Sequence, residues 1–269
     1  MTQRDWRGDR DAVFERDEHA CRRCGTTDDE DPNGPRLYPV GDVPLSGTVH
    51  RSSLVTVCSP CFESVERGNS AASVPDEGAL FDLVRETTER HGVTVSAAAA
   101  FASLATALPG ELADADPDSD VVTERGAAYT QARREVLLAI ESVDSNLERL
   151  RALDASAVDA PVTDSLDGFT ETGTKLQSEL RGIVALNESV VAGLDRCYGC
   201  FEPLDPDVDR CSTCELDRRP TDDWKQSPGG AVDFERLFGA INETLQTASE
   251  TTETLTERTT AVAVQLRGT

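Results

Sequence analysis

The sequence predicts a mainly α-helical protein: a long antiparallel helical bundle with one small cysteine-built module ahead of it and a second inserted between its last two long helices. Three observations lead there. Apolar residues recur at steps of three and four through most of the chain's second half. All eight cysteines fall in CxxC pairs, grouped as two quartets near opposite ends. Acidic and Pro-containing breakers, such as ADADPDSD over 113–120, separate the periodic stretches.

The first stripe is Tyr129, Val136, Ile140, Val143, Leu147 and Leu150. A second keeps the same frame through Leu166, Phe169, Leu176, Leu180, Ile183, Val190 and Leu194, with Gly173 and Asn187 interrupting it. Asn187 at a seam position is expected to fix register at some cost in stability. The third runs Phe234, Leu237, Ile241, Leu245, Thr252, Leu255, Val262 and Leu266, richer in Thr. Short links make neighbouring helices antiparallel, so the expected body is three long helices of about 30 residues, each about 45 Å. Ahead of them, residues 76–108 read as two helices broken at His91-Gly92 and stopped by Pro109-Gly110. The Ala-rich run from Val93 to Leu108 is expected to be a buried helix, since no apolar stretch reaches the 18 or so residues of a membrane span.

Charge bounds the partners. The chain carries 50 acidic against 26 basic residues, a net charge of -24, and only two of its basic residues are lysines, Lys175 and Lys225. An acidic, lysine-poor surface suits a halophilic, archaeal-type cytoplasm, where high charge keeps a protein dispersed. At about 1 M salt the Debye length is about 3 Å, so the acidity neither supports nor excludes DNA. The polar start MTQRDWRGDR has no secretory pattern, which points to reduced thiols and a cytoplasmic location.

Eight reduced cysteines in CxxC pairs call for metal. Cys197, Cys200, Cys211 and Cys214 have zinc-ribbon spacing, with ten residues between the two pairs. Four thiolates leave no open position for water, so such a site is structural, and metal binding supplies folding energy to a segment with almost no core. The acidic stretch FEPLDPDVDR inside the ribbon argues against a DNA-contacting surface. The other quartet, Cys21, Cys24, Cys58 and Cys61, has 33 residues between its pairs. A helix from about Arg10 to Asp17 leads into it. Two strands about Gly41-Asp42, Arg36 to Val40 and Val43 to Val49, are expected to form a hairpin. The run Leu54 to Val57 then delivers Cys58, and a helix follows from Phe62 to Arg67.

The lead-in RDAVFERDEHACRRCG, the later VPLSG and the closing SLVTVCSPCF resemble the HNH endonuclease family over about residues 9–67. That resemblance implies a ββα zinc module with Cys21, Cys24, Cys58 and Cys61 as structural ligands. It also implies a catalytic divalent ion beside a His-His pair, an Asn and a closing His. Here those positions hold Val40, Gly41, Ser53 and Phe62, none of which can act as base or ligand in the same way. Losing the general base alone removes about 10²- to 10⁴-fold in rate. Asp42 and His50 are the only nearby candidates for a rebuilt site. His19 reads as a solvated residue before the knuckle, and Arg22 and Arg23 are candidates for phosphate contact.

The expected organisation is an HNH-like module over 1–70, a helical region over 71–195, a zinc ribbon over 196–220 and a completing helix over 221–269. The expected function is binding by a catalytically degenerate module that holds two structural zinc ions and takes no small-molecule cofactor or membrane. The partner classes left open are DNA, through the N-terminal module, and protein, through bundle or ribbon. The alternatives are an active metal-dependent endonuclease with a rearranged site and a structural interaction protein with no nucleic-acid role.

Overall fold

Helical periodicity sets the main body, and in a computed structural model it is built from four long helices. Described are residues 6–31, 33–43, 49–66, 77–153, 159–205, 207–227 and 230–267. The long helices are α3 (Glu77–Leu112), α4 (Asp120–Arg151), α5 (Ala160–Gly193) and α6 (Phe234–Arg267). Before them come α1 (Trp6–Arg16), β1 (Arg36–Pro39), β2 (Leu54–Val57) and α2 (Ser59–Glu66).

Side-chain pairs fix the direction of each long helix. Glu111 of α3 meets Arg125 of α4 while Phe101 lies against Tyr129, so the two run oppositely. Arg133 of α4 meets Glu188 of α5, and Ile140 accepts from Gln177, which reverses the chain again. Gly193 faces Phe234 and Glu179 accepts from Thr251, making α6 antiparallel to α5. The expected seam residues form one core, with Tyr129, Val136, Val143, Phe169, Leu176, Ile183 and Leu237 all fully buried. Asn187 is buried there too, its amide donating to the Ile183 carbonyl of its own helix at 2.8 Å.

The expectation of three long helices is corrected to four because α3 is a single helix of 36 residues. His91-Gly92 does not break it. The His91 ring is buried against α5, where a Cβ on Gly173 would lie 3.2 Å from its Cε1, and its Nδ1 donates to the Thr87 carbonyl at 3.0 Å. That docking outweighs the roughly 1 kcal/mol helix penalty of the glycine. Pro109 does not stop α3 either: Leu108 is fully buried and Leu112 packs on the same core, which carries the helix one turn further. The run from Val93 to Leu108 is buried along one stripe only, and Val93 is 65% exposed. Among the described residues, the segment Gly78–Leu112 is the one helix long and apolar enough to cross a membrane, and 33% of its most apolar window is buried in the fold.

The N-terminal strands pair differently from the expected hairpin. β1 pairs antiparallel with β2, from Arg36 opposite Val57 to Pro39 opposite Leu54. Val43 is exposed and outside any strand, and residues 44–48 of the expected second strand lie outside the described residues. The reason is burial: all four residues of Leu54–Val57 are buried, so this run, not the polar one after Asp42, becomes the central partner. α1 starts at Trp6, earlier than the expected Arg10, and α2 begins at Ser59, one turn before the expected Phe62, while Arg67 is not described. The Ser59 N–H donates to the Asp31 carboxylate at 2.7 Å, a cap brought in from the loop before β1.

The buried His91 generates a prediction. Burial holds its imidazole below the ordinary value of 6.5, so the unfolded chain binds the proton more readily. Its contribution is therefore fully present above pH 6.5 and is lost as pH falls below that value. Urea unfolding between about pH 5.5 and 7.5 is expected to show a steeper loss of stability in the parent than in His91→Gln; parallel curves would refute it.

Candidate metal centres

Three of the four CxxC pairs adopt one backbone turn. After Cys21, Cys197 and Cys211, the residue following the second cysteine donates its N–H back to the first cysteine's carbonyl. The donors are Gly25 at 2.8 Å, Phe201 at 2.8 Å and Glu215 at 3.0 Å. All three take positive φ, +80°, +67° and +62°. Glycine permits this at the first turn, whereas Phe201 and Glu215 hold a left-handed backbone that costs a side-chain-bearing residue about 1–2 kcal/mol. The fourth pair makes the same bond, Phe62 N–H to the Cys58 carbonyl at 2.9 Å, but as the opening turn of α2 and without a positive φ; Cys58 directly follows β2 and Cys61 lies in the first turn of α2.

These turns aim the sulfurs inward. Within Cys21, Cys24, Cys58 and Cys61 all Sγ atoms lie within 4.8 Å of one another, and the same holds for Cys197, Cys200, Cys211 and Cys214. The Sγ of Cys24 is 3.6 Å from that of Cys58, and the Cys197 to Cys214 and Cys200 to Cys211 separations are 3.3 and 3.5 Å. A disulfide needs about 2.05 Å, and a tetrahedral tetrathiolate at about 2.3 Å per bond spaces its sulfurs about 3.8 Å apart. The eight thiols are free. Each quartet can therefore hold one thiophilic ion such as zinc. The crowding is electrostatic as well as steric. Hydrogen bonding to Cys61 brings Cys21 down to about 4, while the same bond, with burial, pushes Cys61 up. A divalent cation at the centre is what lets all four sulfurs carry charge together. Among the described residues, no other group of three or more His, Cys, Asp or Glu is close enough to share an ion.

The positions that the HNH resemblance assigns to catalysis are packed against α4. Val40 is fully buried in a cluster with Leu138, and its N–H donates to the Ser53 carbonyl at 2.9 Å. Gly41, at φ +69°, donates its N–H to Glu141 at 2.9 Å, and a Cβ there would lie 2.7 Å from Leu137 Cδ1. Ser53 is buried at the end of a short 3-10 turn. Phe62 lies edge-on to Tyr38 with the Arg36 guanidinium 5.0 Å from its ring centre. His50 caps that 3-10 turn, its Nδ1 accepting from the Ser52 N–H at 3.2 Å. Asp42 is exposed, and its charge reinforces the upward push that burial gives the Tyr198 phenol. His19 is exposed beside the Phe14 ring, 6.1 Å between centres. Both knuckle arginines have partners: the exposed Arg22 pairs with the exposed Glu135 of α4 at 2.5 Å, and Arg23 donates to the Cys61 carbonyl at 3.3 Å.

The ribbon is fastened to the bundle by groups far apart in the chain. Phe201 fills a notch over Gly126 of α4, where a Cβ would lie 2.6 Å from its ring, and lies tilted against Tyr129 with ring centres 5.4 Å apart. The Tyr129 hydroxyl donates to the Tyr198 carbonyl at 3.0 Å. The Tyr198 ring has guanidinium carbons 5.3 and 5.0 Å from its centre, those of Arg133 and Arg219. Both arginines pair with Glu188, Arg133 at 2.7 Å, and the Arg133 and Glu188 side chains are 0% and 3% exposed. Both terminal nitrogens of Arg133 are buried without a hydrogen-bond partner. Charge pairs between residues far apart in the chain leave no periodic trace, so the sequence does not reveal this network; its only signal is Arg133 and Glu188 on the otherwise apolar faces of α4 and α5, with Arg219 added from the irregular chain after the ribbon.

No family model, curated protein or solved structure matches the chain. The likeness to HNH endonucleases therefore rests on the sequence motifs alone.

Two predictions follow from this geometry. Elemental analysis is expected to find two metal ions per reduced chain and one after Cys211→Ser; two ions retained in that variant would show that its quartet is not a site. Glu188→Ala, which strands Arg133, is expected to lower stability by about 3–5 kcal/mol, whereas Arg133→Met with Glu188→Leu comes close to neutral. Denaturant unfolding checks both variants.

Proposed function

We propose that this protein is a zinc-stapled helical scaffold that works by binding a protein partner, with its N-terminal module a catalytically degenerate HNH-like cap. The observation that carries the reading is the packing of the fully buried Val40 and the half-buried Gly41 against Leu137, Leu138 and Glu141. Phosphodiester hydrolysis needs an accessible base and a second metal site, and α4 occupies the face where the resemblance would put them. The two quartets suit structural zinc, since four thiolates close the coordination shell.

Protein is favoured over DNA by one feature: Arg22 and Arg23, the candidates for phosphate contact, are already engaged by Glu135 and the Cys61 carbonyl. The net charge of -24 is neutral on this point at high salt. The same acidity, with only two lysines, supports a halophilic cytoplasm as the working environment.

Plasmid nicking with Mg²⁺, Mn²⁺ or Ni²⁺, and DNA binding followed by fluorescence anisotropy, test the reading in about 1–3 M KCl. Neither signal is expected. Nicking abolished by His50→Ala or Asp42→Ala would establish an endonuclease instead, and DNA binding lost on Arg22→Ala with Arg23→Ala would establish a DNA-binding module.

A further inference from the structure

A cleft of about 290 Å³ opens where the first cysteine knuckle meets α3 and α4. Its rim holds Arg22 and Arg23 from the knuckle and Arg90 from α3, with Glu135 of α4 as the one carboxylate among its lining residues. Its floor is apolar: Val93 and Ala97 of α3, and Leu138 and Ala139 of α4. Ser142 also lines it, but its hydroxyl is spent on the Leu138 carbonyl at 2.7 Å.

Three features of this cleft go unexplained by folding. Three of its nine lining residues are arginines in a chain where acidic residues outnumber basic ones by 50 to 26, so convergence of cations here runs against composition. The Arg23 Nε is buried with no hydrogen-bond partner, and an unmet buried donor is costly enough to call for one. Val93, at 65%, has the highest relative exposure of the exposed large hydrophobic residues, and it borders the arginines. Two carboxylates serve the three arginines: Arg22 pairs with Glu135 at 2.5 Å and Arg90 with Glu86 at 2.8 Å, while Arg23 shares the Glu86 charge and bonds both the Cys61 carbonyl, at 3.3 Å, and the Cys61 side chain.

We propose that this cleft binds a small amphiphilic carboxylate, its anionic end held by Arg23 and Arg90 and its hydrocarbon body laid over Val93, Ala97 and Leu138. The guanidinium fork matches a carboxylate with two parallel N–H donors, and Arg90 and Arg23 each bring such a fork to the cleft. The volume lies at the lower end of ligand pockets, which excludes a nucleic-acid strand or a folded partner from entering it. An inorganic anion would satisfy the arginines and leave the apolar floor wet; a carboxylate with a short chain meets both.

Hexanoate is a suitable probe, titrated calorimetrically into the full reduced chain in about 2 M KCl, where only short-range contacts survive screening. Saturable binding is expected with a dissociation constant of about 1 mM. Arg90→Gln, at a half-buried position whose ion pair with Glu86 lies within one helix, is expected to weaken it about tenfold, and Ala97→Phe, which fills the floor, to abolish it. Both variants should keep the parent's helical circular dichroism and metal content. The proposal is overturned if hexanoate shows no saturable heat, or if hexan-1-ol binds as tightly. It is equally overturned if sulfate displaces hexanoate at equal concentration, or if folded Arg90→Gln and Ala97→Phe bind like the parent.

Discussion

Sulfur crowding is the constraint on which both small modules depend. The ribbon's buried cluster consists of Cys197, Tyr198, Leu204, Cys211, Cys214 and Leu216, so half of its core residues are metal-ligand candidates. The N-terminal cluster draws Leu138 from α4 to complete a core of Val40, Val55, Val57 and three cysteines. Segments so poor in apolar area cannot offset the entropy of ordering their backbones through burial alone. An ion held by each quartet would supply what burial lacks, and would also relieve the mutual repulsion of four thiolates held within 4.8 Å.

α4 then connects the two modules. One part of it, around Leu137, Leu138 and Glu141, covers the strand end of the N-terminal module, and Ser145 donates to the Ser64 carbonyl of α2 at 2.6 Å. An earlier part, Gly126, Tyr129 and Arg133, receives Phe201 and Tyr198 of the ribbon. The same helix therefore closes the N-terminal module: by occupying the face beside Val40 and Gly41 it packs the strands and cysteines against the bundle. The buried Arg133 between Glu188 and Tyr198 sets the ribbon's position in return, since a buried ion pair tolerates little displacement of either partner.

Much of this was legible in the sequence. The stripes from Tyr129 to Leu150, Leu166 to Leu194 and Phe234 to Leu266 became the core faces of α4, α5 and α6, and the cysteine pairs gathered as their spacing required. His91-Gly92 and Pro109 misled because intrinsic propensity is worth about 1–3 kcal/mol per residue and the packing of His91 and Leu108 overrides it. The hairpin about Gly41-Asp42 misled because strand pairing is chosen by burial, and Leu54–Val57 was the more apolar partner.

What the sequence determined by itself was local: helical period, the CxxC turns, and a thiolate count that closes a coordination shell. The tertiary structure alone decided which helix covers Val40 and Gly41, how Arg133, Glu188 and Arg219 come together, and that Arg22, Arg23 and Arg90 share one cleft. The physical reason is range. Periodicity and knuckle geometry act through a few consecutive peptide units and can be counted along the chain. Contacts between residues 55 or 100 positions apart, such as Arg133 with Glu188 or Gly41 with Glu141, depend on how whole helices are laid together.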